Sequence, residues 1–174
     1  KYQIENKFII LGVASSWAPR KGLDVFVKLA EDLPEEYQIV IVGIDEREKN
    51  KLPETIISIT RTNNQKELAE IYSVADVFVN PTREENFPTT NIEALACGTG
   101  VITYRTGGSP EIIDQETGVV VEKDNYDELK QAIFKVKKDG TFSKEKCRNR
   151  SMKYSRDEKY KEYVELFESI LEGR

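Results

Sequence analysis

The chain contains no histidine. That removes His-based triads, His general bases and His metal sites from the residues at hand. It has only two cysteines, Cys97 and Cys147, which excludes a disulfide framework and a Cys-rich metal centre and fits a reducing compartment. Cys97, within the run Ala94 to Gly98 (AlaLeuAlaCysGly), is expected as a small buried filler. No apolar run approaches the roughly 20 residues needed to span a bilayer, and no signal-peptide pattern is present. The first residue is Lys rather than Met, so a fragment or processed product is expected. GxGxxG and GxxxxGK[ST] are both missing, so neither the dinucleotide fingerprint nor the P-loop applies.

What remains is an ordinary globular composition, 39% apolar and 33% charged, with ten Gly and six Pro in 174 residues. That length fits one domain. The net charge of −5 is uneven. Residues 1–134 hold 14 Lys+Arg against 23 Asp+Glu, a balance of −9, and residues 135–174 hold 12 against 8, a balance of +4. The acidic body and the lack of a coherent basic stripe argue against nucleic acid as a partner. The basic residues of the tail alternate with acids and read as a solvated helical face.

Short apolar runs alternate with helical periodicities. FIILGVA (8–14), YQIVIVG (37–43), TIISIT (55–60), DVFVNP (76–81), GVITY (100–104) and GVVVE (118–122) read as six strands. Leu23, Phe26, Val27, Ala30 and Leu33 recur at helical spacing before Pro34, and 44–54 reads as polar loop. Asn64 with Glu67 marks a helix start, and Leu68, Ala69, Ile71 and Tyr72 give that helix an apolar face. Further helices are expected at 90–97, after Ser109-Pro110 with Ser109 as cap, after Asn125, over 144–154 and over 156–172. Continuously apolar strands alternating with helices predict an α/β fold: one doubly wound, Rossmann-like domain with a mainly parallel six-stranded sheet. In such sheets the ligand lies at the carboxyl ends of the strands, where strand order reverses. The loops that matter are then 14–22, 43–46, 60–64, 81–90 and 104–109.

Arg20 and Lys21 sit at a helix start, where cations and free N–H groups suit a phosphate, but dibasic pairs are common and as plain residues they read more readily as solvated surface charges. The loop after the fourth strand, ThrArgGluGluAsnPheProThrThr (82–90), runs into a helix N-terminus, so Thr89, Thr90 and Asn91 can offer N–H groups to an anion. Glu85 lies in that loop and Glu93 in the helix's first turn. Thr90 with Glu93 also spells a capping box, and Glu85 reads as an exposed loop acid. Phe87 reads as packing at the loop base. Gly107 and Gly108 allow close approach of backbone to a ligand, and Glu111 is favourable in a helix's first turn whether or not it has another role.

Taken together, ProThrArgGluGluAsnPheProThrThrAsnIleGluAlaLeuAlaCysGlyThrGly (81–100) and GlyGlySerProGluIleIle (107–113) resemble the C-terminal lobe of retaining GT-B glycosyltransferases of the glycogen-synthase and sucrose-synthase-like superfamily. Two glutamates separated by seven residues, an AlaCysGly stretch and a GlyGly-x-ProGlu stretch all match. The resemblance covers essentially the whole chain, 1–174. TrpAlaProArgLysGly (17–22) and GluAsnPheProThrThr (85–90) lean toward bacterial cell-surface polysaccharide transferases.

The resemblance implies a nucleotide-sugar donor, a UDP- or GDP-sugar, and no other cofactor or metal; no Asp-x-Asp pair is present. It implies that Glu93 binds the ribose hydroxyls and that Glu85, the catalytic candidate, faces the donor sugar. Arg20 and Lys21 hold the diphosphate, with Phe87, Thr89 and Thr90 around the sugar and phosphates. The loop Thr60–Thr62, with Arg61, lies by the base. Ser16 stands where the family often has an Arg. Asn86 and Pro88 replace usual glycines, and Pro88 removes one backbone donor. The acceptor-binding N-terminal lobe is missing, so the domain is expected to be poorly active by itself, with part of its last helix exposed. A cytoplasmic enzyme is implied, with peripheral association at the inner face of the membrane. Two further readings stay open: a non-catalytic nucleotide-sugar module, and half of a GT-B-like UDP-sugar epimerase. A signalling receiver domain is excluded because FIILGVASS carries no acidic cluster after the first strand.

Overall fold

The computed structural model describes residues 5–173; residues 1–4 and 174 of the expected domain lie outside the described residues. The strands are β1 (Phe8–Val13), β2 (Tyr37–Val42), β3 (Ile57–Ile59), β4 (Val77–Asn80), β5 (Val101–Tyr104) and β6 (Gly118–Val121). They form one parallel sheet in the order β3-β2-β1-β4-β5-β6. β1 pairs with β2 from Phe8↔Tyr37 to Val13↔Val42, and with β4 at Ile10↔Val77. Strand order reverses between β1 and β4, which opens a crevice at their carboxyl ends.

The helices are α1 (Leu23–Asp32), α2 (Glu46–Lys49), α3 (Gln65–Val74), α4 (Thr89–Ala96), α5 (Ser109–Ile112), α6 (Tyr126–Asp139), α7 (Lys144–Met152) and α8 (Arg156–Leu171). The period-2 alternation of the strands divides the core in two. Ile10, Ile41, Val79, Ile102 and Val121 face α1 and α6, where Phe26, Leu29, Leu129 and Ile133 are fully buried. Ile9, Leu11, Val40, Phe78 and Val101 face the other way, onto Tyr72 of α3, Leu95 of α4, Ile112 of α5 and Cys147 of α7. Both faces are covered, as the near-continuous apolar strands require.

Several boundaries differ from the expected ones, each for a local reason. The stretch 44–54 is not all loop: Asp45 accepts hydrogen bonds from the Arg47 and Glu48 amides at 2.8 and 2.9 Å and caps the short α2. β3 shrinks to three half-buried residues at the sheet edge. Asp76 leaves β4 because its carboxylate accepts from the Ile9 amide at 2.7 Å, and Pro81 has no N–H to donate. Ser109 is the first residue of α5 rather than its cap, which is Gly108. Cys97 is only half-buried, at the C-cap of α4; the fully buried thiol is Cys147, pushed up to about 11 by burial. Asn64, Asn125 and Ser155 each accept from the amide three residues on, as their spacing predicts.

The basic tail runs from the last turn of α6 through α7 and α8. Tyr160, Tyr163, Val164, Phe167 and Ile170 of α8 are 55–62% exposed and form an apolar stripe on the surface of the described residues. None of the described helices is long and apolar enough to cross a membrane.

Gly43 ends β2 with φ +85°, and a Cβ there would lie 1.7 Å from the Ala14 carbonyl oxygen. Only glycine fits both the left-handed backbone and the contact. Gly43→Ala is expected to lower stability by about 1–3 kcal/mol, read as a lower urea midpoint. An unchanged midpoint would show that the β1 and β2 ends separate freely.

Candidate functional site

A cleft of about 710 Å³ lies at the carboxyl ends of β1, β2 and β3 and continues to the N-terminus of α4. Its size is that of a pocket for a small organic ligand. β1 supplies Val13, Ala14 and Ser15; the end of β2 supplies Gly43, Ile44 and Asp45; the end of β3 supplies Thr60, Arg61 and Thr62. The far wall is Glu85, Phe87, Pro88, Thr89, Thr90 and Glu93, and Lys21 projects from a single 3-10 turn, Pro19–Lys21.

Lys21 Nζ donates to Glu85 Oε2 at 2.8 Å, with both side chains less than a quarter exposed. The other oxygen, Oε1, accepts from the Asn86 amide at 3.0 Å. Burial alone would raise the Glu85 carboxyl. The Lys21 hydrogen bond and charge, helped by the Asn86 amide and Arg20, outweigh it and hold the group below the ordinary glutamate range.

Two loops meet to make that pair. The Arg83 amide donates to the Arg20 carbonyl at 2.8 Å, and Arg20 Nη1 returns a bond to the Glu84 carbonyl at 3.1 Å. The Arg83 guanidinium donates to the Pro19 carbonyl, forms a two-pronged pair with Asp24, and reaches Asp124 through Nε at 2.6 Å. The Arg83 hydrogen bond holds Asp24 below the usual carboxylate range. Arg83 therefore fixes the Lys21 turn and the Glu85 loop against each other without lining the cleft. Gly107 and Gly108 act on the same loop. A Cβ on Gly107, whose φ is +48°, would lie 1.8 Å from the Glu85 carbonyl oxygen, and the Gly108 amide donates to the Asn86 carbonyl at 2.6 Å. Their close approach is to the loop's backbone. Beneath the loop, Thr82 Oγ1 donates to Asn80 Oδ1, Asn80 Nδ2 to Asn91 Oδ1, and Thr106 Oγ1 to the Thr82 carbonyl. This buried network joins β4, the loop and α4.

The expected capping box at Thr90 and Glu93 does not form. α4 starts one residue earlier, at Thr89, with Pro88 as a cap that makes no side-chain bond. Pro88 is buried and fixes the entry to the helix. The amides of Thr89 and Thr90 have no acceptor among the described residues, so both are free donors at the cleft wall. Glu93, freed from capping, accepts instead from the Tyr72 hydroxyl at 3.1 Å.

Of the residues singled out from the sequence, Lys21, Arg61, Glu85, Phe87, Thr89, Thr90 and Glu93 line the one cleft. Ser16 and Arg20 do not. Trp17 is buried and donates to the Val42 carbonyl at 3.1 Å, which pins the loop so that Ser15 lines the cleft and Ser16 is exposed. Arg20 is turned away onto Glu84. Phe87 is 41% exposed rather than basal, its ring 5.7 Å from that of Tyr154. Glu111 does not line the cleft; its carbonyl accepts from Arg150 and from the Tyr154 hydroxyl. Asp45, Tyr72 and Arg83 were not legible as site residues. Asp45 followed a glycine-ended strand in a polar loop, Tyr72 read as one apolar helix position, and Arg83 lay beside the more conspicuous acid pair. No group of three or more Cys, Asp or Glu among the described residues is arranged to hold a metal ion.

A doubly wound sheet with cations, free helix amides and three carboxylates (Asp45, Glu85 and Glu93) around one crevice suits an anionic, hydroxyl-rich ligand. Residues 1–158 match the family described as Glycosyl transferases group 1, and the chain belongs to it. It is 27% identical over 189 residues to alpha-galactosylglucosyldiacylglycerol synthase of Streptococcus pneumoniae, covering 94% of this chain and 46% of that protein. Among solved structures it is similar to sucrose-phosphate synthase from Thermosynechococcus elongatus, with TM-score 0.79, 23% identity, and coverage of 99% of this chain and 47% of the other. It is also similar to HepE from Anabaena in complex with UDP-glucose, with TM-score 0.73, 17% identity, and coverage of 86% and 44%. The fold is that of a GT-B glycosyltransferase domain. The chain spans less than half the length of the first curated relatives it matches.

Because the Glu85 carboxyl is lowered, the stabilisation from its pairing with Lys21 is fully present above the ordinary value of 4.5 and is lost as pH falls through the lower folded-state value. Lys21→Met removes the opposing charge and leaves the burial, so the Glu85 midpoint should rise. Carbon-13 NMR of the Glu85 carboxyl reads both midpoints; a midpoint that Lys21→Met does not move would contradict the pairing.

Proposed function

We propose that the chain, residues 1–174, is the donor-binding domain of a retaining glycosyltransferase. It holds a UDP- or GDP-sugar while the sugar passes to an acceptor carried by an N-terminal lobe, in the synthesis of a cell-surface polysaccharide or glycolipid. The observation that carries this reading is the cleft itself. Lys21, two free α4 amides, Glu85 and Glu93 face one crevice at the strand-order reversal.

Breaking the anomeric bond places negative charge on the departing diphosphate and positive charge on the sugar. Lys21 and the Thr89 and Thr90 amides are suited to the first, since charge-assisted donors at a helix N-terminus stabilise phosphate oxygens. Glu85 is suited to the second, as a carboxylate beside the reacting carbon or a holder of sugar hydroxyls. A diphosphate at Lys21 competes with Glu85 for that ammonium and so frees the carboxylate for the sugar. Glu93, with one oxygen free, is suited to the ribose. Arg61, with Thr60 and Thr62, borders the space left for the base. Arg20 and Ser16, outside the cleft in this state, join the diphosphate side only if the 14–22 loop moves.

The wider setting rests on the relatives. The pneumococcal relative is named for a glycolipid product, and the Anabaena neighbour was solved with UDP-glucose. The bare apolar stripe of α8 suits packing against the missing lobe. The whole enzyme would then be cytoplasmic and peripheral at the inner face of the membrane.

Titration calorimetry with UDP-, GDP- and ADP-sugars tests the reading, and one nucleotide series should bind. Lys21→Ala should weaken the nucleoside diphosphate by roughly 1.5–3 kcal/mol and leave the free nucleoside nearly unchanged. Equal losses for both ligands would argue against a phosphate at Lys21.

A further inference from the structure

We infer that Tyr72 is a positioning residue for ribose recognition, acting by holding one oxygen of Glu93 so that the other faces the cleft. This rests on the reading of Glu93 as the ribose ligand. Glu93 lies on the exposed side of α4 and lines the cleft, where a free carboxylate would sample several rotamers. Tyr72 does not line the cleft and is 1% exposed. Its hydroxyl donates to Glu93 Oε2 at 3.1 Å, and Oε1 has no partner among the described residues.

Tyr72 is itself held at both ends. Its ring packs edge-on against Phe78 of β4, with centroids 5.5 Å apart. Its carbonyl accepts from Thr99 Oγ1 at 2.6 Å and from the Ala75 amide at 3.1 Å. The donor is therefore fixed to the sheet. Burial, reinforced by the nearby Glu93 charge, raises the phenol far above its ordinary value, so it stays protonated and a donor. A vicinal diol needs a carboxylate oxygen at a set place, and a rigid buried phenol supplies that placement without touching the ligand.

The test uses Tyr72→Phe, which keeps the ring and its packing on Phe78. UDP and GDP are each titrated beside their 2′,3′-dideoxy forms, using whichever nucleotide binds the unaltered chain more tightly. The quantity read is the ratio of ribo to dideoxy affinity, which a general loss of stability does not move. Tyr72→Phe should lower that ratio about three- to tenfold, the worth of one hydrogen bond. In a Glu93→Gln background the same substitution should lower it no further. A ratio that Glu93→Gln lowers and Tyr72→Phe leaves unchanged overturns the positioning role alone. A ratio that neither variant moves, or binding of neither nucleotide by the unaltered chain, overturns the ribose reading and the positioning role with it.

Discussion

The ion pair between Lys21 and Glu85 spans the point where the order of the sheet reverses, and much of the local architecture holds its two ends in place. Lys21 comes from the turn after β1, and Glu85 from the loop after β4. Those strands are neighbours, but their loops diverge to opposite sides of the sheet. A crevice there would splay without cross-links. Arg83 supplies them, with side-chain bonds to Pro19, Asp24 and Asp124 and an amide bond to Arg20. Gly107 and Gly108 let a third loop press on the backbone of residues 85 and 86. The result is a cation and a carboxylate held in contact in a half-buried cleft, where each is more costly to separate than at an open surface.

That geometry divides the labour among residue types. The polar groups facing the cleft, Lys21, Glu85, Glu93 and the Thr89 and Thr90 amides, are charged or unpaired and are placed for a ligand. The groups behind them, namely Asn80, Thr82, Asn91 and Thr106, are buried and almost fully bonded to one another. Tyr72 belongs to both sets, since its ring is core and its hydroxyl reaches Glu93. α8 belongs to neither: its apolar stripe contributes nothing to the core described here.

Strand and helix order was legible because buried parallel strands leave continuous apolar runs, and helices covering them leave an unmistakable period. The site was legible as a set of loops, and the acid pair with its helix start was legible from motif resemblance. What the residues concealed was partnership. Nothing in Thr90 and Glu93 distinguishes a capping box from a carboxylate reaching for a tyrosine; only Pro88, by moving the helix start to Thr89, decides it. Arg20 and Lys21 look equivalent in sequence, yet one turns to a carbonyl and the other into the cleft. Ser16 and Ser15 exchange places because Trp17 anchors the loop through a single indole bond. Long-range bonds of this kind leave no periodic trace.

The most direct test of the whole account is a crystal structure of this chain with the nucleoside diphosphate it binds most tightly. The account predicts the phosphates between Lys21 and the Thr89 and Thr90 amides, the Lys21 ammonium drawn off Glu85, and both ribose hydroxyls on Glu93. A nucleotide seated elsewhere, such as the apolar groove between β3 and α3 lined by Ile57, Ile59 and Ile71, or one that leaves the Lys21–Glu85 pair intact, would contradict it.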